Sequence, residues 1–272
     1  MMNLAIMLCL CSLTLNSAQE SLELPILAQP KAAELNLEPV VLMTEDELSI
    51  KAFLVRASSG ASSAIKGSPS PEQRPLLIMA HGSNRTKERW IEEGFVQSMR
   101  DEGYHIFAFD IRGRGESDQW EQKNPAYGVL DLEAALAWAA NQDFVDQDRI
   151  ALIGSSYGAN LATAGLQTQD WNVRTVICFS ATAASIRFLA SFSERRMIPS
   201  GLYFACEQEP PTYDVLGTAA FLENRTSGEA QVHIYPDRMH AISMFSHIES
   251  VPQLVKDWLQ NEFAKPPISQ LK

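Results

Sequence analysis

The residues whose types and spacing could do chemistry stand in Arg149 to Ala162, RIALIGSSYGANLA, where two adjacent serines lie between two glycines. The spacing is Gly-x-Ser-x-Gly, with Ser156 at the centre and Ser155 one residue off the apex. An apolar run ends at Ile153 and helical composition begins at Tyr157, so the pattern predicts a strand, a tight turn and a helix. Gly154 and Gly158 let the backbone bend sharply and present the central hydroxyl above a sheet. The chemistry such a serine could do is acyl transfer. A hydroxyl is a weak nucleophile at neutral pH, however, so it needs a base and a group that orients the base.

Five histidines are available. His240, in YPDRMHAIS after the last expected strand, is the best placed base, with His247 in reserve. His105 and His233 fall inside apolar runs and are expected to be packed or edge residues. His81 belongs to MAHGS, where the main chain is expected to present amide hydrogens. The orienting acid should come from the loop after the strand at Leu202–Cys206, where LYFACEQEPPTYD offers Glu207, Glu209 and Asp214. Glu209 falls at the turn. Glu207 is nearest the strand, and Asp214, beyond two prolines, is also suited to cap the next helix. All three remain open, with Glu209 preferred. The oxyanion of an acyl transfer needs amide donors, and Tyr157 could supply one and Ser83 or Asn84 the other.

What must position these residues is a repeated cycle of short apolar run, turn and helix from Leu76 onward. The runs are Leu76 to Ala80, His105 to Phe109, Arg149 to Ile153, Arg174 to Phe179, Leu202 to Cys206 and Val232 to Tyr235. Near-continuous apolar strands alternating with helices imply a mostly parallel, doubly wound α/β sheet. YGVLDLEAALAWAANQ and SVPQLVKDWLQNEFAK carry apolar residues at helical spacing, Leu132, Leu136 and Ala139 in one, Leu254, Trp258 and Phe263 in the other. Upstream, PVVLMTEDELSIKAFLVRA contains two alternating runs around Glu45, Asp46 and Glu47, which predicts an antiparallel hairpin. The Ser, Gly and Pro of SSGASSAIKGSPSPEQRP predict a surface loop. In sheets of this kind ligands meet the loops beyond the carboxyl ends of the strands, and Ser156, Glu209, His240 and the HGS segment all stand there.

Composition narrows the function. With 272 residues, of which 46% are hydrophobic and 20% charged, the chain suits one large domain, expected over 39–272. A net charge of -11 without any Lys/Arg cluster argues against a nucleic-acid partner. The first eighteen residues carry no acidic or basic side chain and an apolar run from Leu4 to about Leu15, too short to span a bilayer. A signal peptide over 1–18, an unassigned arm over 19–38 and export of a mature chain without stable membrane insertion are the expectations. Cys178 and Cys206 lie in strand-like runs and are expected as buried free thiols. RGRGES lacks the spacing and lysine of a phosphate loop and is expected to be a structural turn. No metal or cofactor is expected.

The order Ser156, Glu209, His240, with HGS after an early strand, DIRGRGES after the next and GSSYG at the turn, resembles the α/β-hydrolase superfamily. Within it the chain is similar to dienelactone-hydrolase-like and prolyl-oligopeptidase-like esterases, over roughly Pro39 to Phe263. The resemblance implies Ser156 as nucleophile, His240 as general base and acid, and Glu209 as orienting acid. The chain departs from the family in having Glu where Asp is usual and Ala159 where a third glycine often stands. RMHAI around the histidine predicts a more crowded pocket. Ala181 to Ser200 is too short for a large lid, so an open site for small-molecule esters of short or soluble acyl groups is expected. A small peptidase with the same residues, and a non-catalytic binding protein on the same scaffold, are the alternatives.

Overall fold

The computed structural model describes residues 35–58, 73–121, 124–190 and 196–268. The expected signal peptide, nearly all of the arm and most of the Ser/Gly/Pro-rich loop lie outside them. Eight strands form a single sheet: β1 Glu38–Met43, β2 Ser49–Val55, β3 Arg74–Ala80, β4 His105–Phe109, β5 Val145–Ser155, β6 Thr175–Phe179, β7 Gly201–Cys206 and β8 Ala230–Tyr235. Their spatial order is β1-β2-β4-β3-β5-β6-β7-β8. The expected hairpin is β1–β2, antiparallel, and β2 also runs antiparallel to β4; every other pairing is parallel.

Helices cover both faces. The helices are α1 Arg89–Glu92, α2 Phe95–Asp101, α3 Gly128–Ala140, α4 Tyr157–Thr168, α5 Ala183–Leu189, α6 Val215–Arg225, α7 Ser243–His247 and α8 Ser250–Ala264. Successive side chains of a strand point to opposite faces. Leu76, Ile78, Ile150 and Leu152 therefore pack with α3 to α6, while Leu77, Met79, Ala151 and Ile153 pack with α1, α2, α7 and α8. This alternation explains the unbroken apolar runs, because both faces of β3 to β7 are buried. It also selects the buried side of each amphipathic helix: Leu132 and Ala139 of α3, Trp258 and Phe263 of α8, all nearly or fully sealed from water.

β5 begins four residues earlier than expected. The polar stretch Val145–Asp148 extends it, pairing through Val145 with Arg74 of β3 across a register shift. Cys178 and Cys206 are free and buried, and burial pushes their thiols up to about 12 and about 11, leaving little reactive thiolate. Among the described residues no helix is long and apolar enough to cross a membrane.

The RGRGES turn after β4 is built on buried charge. Asp110 accepts hydrogen bonds from the amides of Lys87 (2.8 Å) and Glu116 (3.0 Å) and pairs with Lys87 Nζ at 2.7 Å. Next to it, Arg112 has a fully buried side chain. Its Nε donates to Asp131 Oδ1 at 2.8 Å, and its Nη1 and Nη2 donate to Asp46 at 2.7 and 3.0 Å. This one guanidinium joins the hairpin, the turn and α3. Removing one partner of a buried pair strands the other charges, so Arg112→Met should cost about 3–5 kcal/mol of folding stability. Urea unfolding measures it, and a loss below about 1 kcal/mol, the value of an exposed pair, would show the network to be dispensable.

Candidate active site

Ser156 sits between the last residue of β5 and the first of α4, with φ 52° and ψ -112°. A non-glycine residue in such a conformation is strained, and here the neighbours impose it. A Cβ on Gly154 would fall 2.3 Å from Ala159 Cα, and one on Gly158 would fall 2.0 Å from the carbonyl oxygen of Ala80. Both glycines of the motif are therefore required by close approach of α4 to β5 and β3. The Ser156 amide donates to the Phe179 carbonyl at 2.7 Å, tying the turn to β6.

His240 and Glu209 come from the loops after β8 and β7. His240 Nε2 lies 3.2 Å from Ser156 Oγ, and its Nδ1 lies 3.0 Å from Glu209 Oε2. The Glu209 side chain is 1% exposed, the imidazole 40%. Burying a carboxylate requires donors, and Glu209 Oε1 accepts from Ser180 Oγ at 2.7 Å and from the Cys206 amide at 3.1 Å. Ser180 Oγ in turn accepts from the Ala241 amide at 2.7 Å, and Ser155 Oγ accepts from the Ile242 amide at 3.3 Å. Two serine hydroxyls thus pin the histidine loop, where Ala241 takes φ 59°. The acid loop is fastened to the same loop, since the Gln208 amide donates to the Asp237 carbonyl at 3.0 Å.

The remaining expectations sort out against this geometry. Asp214 lies apart from the histidine and caps α6, its side chain accepting from the Gly217 amide at 3.2 Å, while Glu207 is exposed. Ser155 is buried with its hydroxyl engaged, and it stands beside the apex, not at it. His105 is buried in β4, His233 stacks on Phe204 in the edge strand β8, and His247 is exposed in α7. His81 is structural: its Nε2 accepts from the Ile111 amide at 3.0 Å, so Nδ1–H donates to the Gly82 carbonyl at 2.7 Å. Burial pushes its pKa down, which keeps it neutral. Its neighbour Gly82 approaches Ser156 so closely that a Cβ there would lie 3.5 Å from Ser156 Cβ. Tyr157 begins α4, where an amide has no carbonyl one turn before it. The segments expected to supply amide donors, HGS with Ser83 and the start of α4, therefore flank Ser156; Ser83 is exposed, and its carbonyl accepts from Arg114 Nε.

Two residues escaped the sequence. Ser180 stands at the end of β6 with φ 57°, a position visible in the sequence but without a motif to give it a partner. Tyr213, four residues after Glu209, places its hydroxyl 3.3 Å from Ser156 Oγ and 3.2 Å from His240 Nε2.

Residues 75–197 match the family model for the alpha/beta hydrolase fold. The chain has the α/β-hydrolase fold. A structure of the Pyrococcus furiosus esterase Pf2001 resembles this chain with a TM-score of 0.65, at 18% identity, over 85% of this chain and 95% of that one. An uncharacterized 31.7 kDa protein of Escherichia coli, from the traX-finO intergenic region, is 29% identical over 106 residues, 39% of this chain and 36% of that protein. Dipeptidyl aminopeptidase BIII of Pseudoxanthomonas mexicana is 24% identical over 137 residues, 47% of this chain and 19% of that one. The chain thus spans about a third or less of the length of these curated relatives.

Proposed function

We propose that this α/β hydrolase is a serine esterase that cleaves small carboxylic esters through an acyl-enzyme on Ser156. The observation that carries the proposal is the unbroken line of contacts from Ser156 Oγ through His240 to the buried Glu209. Glu209 holds the imidazole with its proton on Nδ1 and leaves Nε2 as acceptor. Ser156 gives its proton to Nε2 as Oγ attacks the ester carbonyl. The oxyanion takes hydrogen bonds from the amides of Tyr157 and Ser83. Nε2 returns the proton to the leaving alcohol as the C–O bond breaks, and water repeats the sequence to free the acid. Among the described residues between β6 and β7, the helix is the seven-residue Ala183–Leu189, which favours soluble over long lipid acyl groups.

Labelling with a fluorophosphonate tests the proposal: the adduct mass should map to the peptide carrying Ser156. An unlabelled protein would favour a binding role on the hydrolase scaffold. The similarity to a dipeptidyl aminopeptidase supports a second reading, amide cleavage by the same residues. Turnover of an aryl ester against a matched aminoacyl anilide separates the two, and faster anilide hydrolysis would overturn the ester preference.

A further inference from the structure

Tyr213 closes a short 3-10 turn, Pro211–Tyr213, between β7 and α6. Its main chain is held from outside the Ser–His–Glu line: its amide donates to the Pro210 carbonyl at 2.9 Å, and its carbonyl accepts from Thr218 Oγ1 at 2.9 Å. Two prolines before it restrict the backbone. The ring meets the His240 imidazole edge-on, with centroids 5.0 Å apart and planes at 78°. The hydroxyl is thereby the third corner of a triangle with Ser156 Oγ and His240 Nε2, whose sides are 3.3, 3.2 and 3.2 Å.

With Nδ1–H directed at Glu209, Nε2 offers one lone pair and takes one strong donor. When Ser156 occupies it, as attack requires, Tyr213 donates to Oγ. That partner disappears once Oγ carries an acyl group, because an ester oxygen conjugated to its carbonyl is a weak acceptor. The water that must attack the acyl carbon has to touch Nε2 and stand beside Oγ. Tyr213 is the side chain already bonded to both atoms.

We propose that Tyr213 is a catalytic residue of deacylation, an inference that rests on the esterase reading above. Its oxygen accepts one hydrogen of the attacking water while the other passes to His240 Nε2. The water oxygen bonds to the acyl carbon, the C–Oγ bond breaks, and the proton moves from Nε2 to Oγ as the acid leaves. Tyr213 keeps its own proton throughout and donates it again to the restored Ser156 hydroxyl. Acylation needs no such water. The role therefore has a signature in one half of the reaction.

Tyr213→Phe keeps the ring and both main-chain bonds and removes only the hydroxyl. With p-nitrophenyl acetate and the full chain, acylation should stay within about twofold of the wild type, while deacylation falls about tenfold, the worth of one hydrogen bond in the transition state. Intact mass at steady state should then find a larger fraction of Ser156 acetylated. Added hydroxylamine, a stronger nucleophile that needs less help in alignment, should recover most of the lost turnover. Unchanged or faster deacylation would overturn the proposal and make Tyr213 a side chain that merely fills the site. Equal slowing of both steps would also overturn it, in favour of a packing role. A wild type in which Ser156 never becomes acetylated would sink the esterase reading, and this inference with it.

Discussion

Replacing Ser156 by alanine should cut hydrolysis of p-nitrophenyl butyrate by about 10⁴- to 10⁶-fold, with the folded protein otherwise unaltered. The size follows from the geometry. Alanine removes the hydroxyl 3.2 Å from His240 Nε2 that would carry the acyl group, so the proposed covalent route is lost. What survives is the stabilisation that amide donors give a water attacking unaided, about 10³- to 10⁴-fold over solution. Ser155 cannot substitute, since its hydroxyl holds the Ile242 amide. Stability should change little or improve slightly, because the strained φ of 52° costs alanine no more than serine. Turnover within tenfold of the wild type would remove Ser156 from the mechanism.

Glu209→Gln should lower turnover by about 10³- to 10⁴-fold. The reason lies in what meets each oxygen. Oε1 receives two donors, Ser180 Oγ and the Cys206 amide, so the glutamine carbonyl must take that place and its NH₂ must face His240. An NH₂ donor there forces Nδ1 to accept and puts the imidazole proton on Nε2. Ser156 then has no base. Asp214→Asn, as the contrast, keeps a side-chain acceptor for the Gly217 amide and should leave turnover within twofold. Steady-state kinetics on the pair would decide between the acids, and a larger loss at Asp214 would reverse the assignment.

The parts of this molecule that could be read from sequence are those where one period or one spacing forces one structure. Apolar runs such as LLIMA and TVICF are sealed on both faces, so the parallel sheet and its helices were apparent. Gly154 and Gly158 mark the turn because nothing larger fits. The acid was harder. Glu207, Glu209 and Asp214 are three carboxylates within eight residues, and what separates them is a two-residue difference in where the chain leaves β7 and a capping role that any Asp before a helix could fill. Extension of β5 through Asp146 and Asp148 ran against residue preference and was set by tertiary pairing with β3. Ser180 and Tyr213 were invisible for another reason. Each acts through partners at least 27 residues away, and a single hydroxyl carries no local pattern.

The pinning of the histidine loop has a consequence for how this protein could diverge. Ser155 and Ser180 grip that loop only through the amides of Ala241 and Ile242. Main-chain anchors are blind to side-chain identity. Pro236 and Arg238, both exposed on the same loop, can therefore be exchanged while the imidazole stays in register. A lineage under pressure to accept new ligands, or a laboratory library imitating one, has a stretch of rim beside His240 that can drift without disturbing the Ser156–His240–Glu209 contacts beneath it.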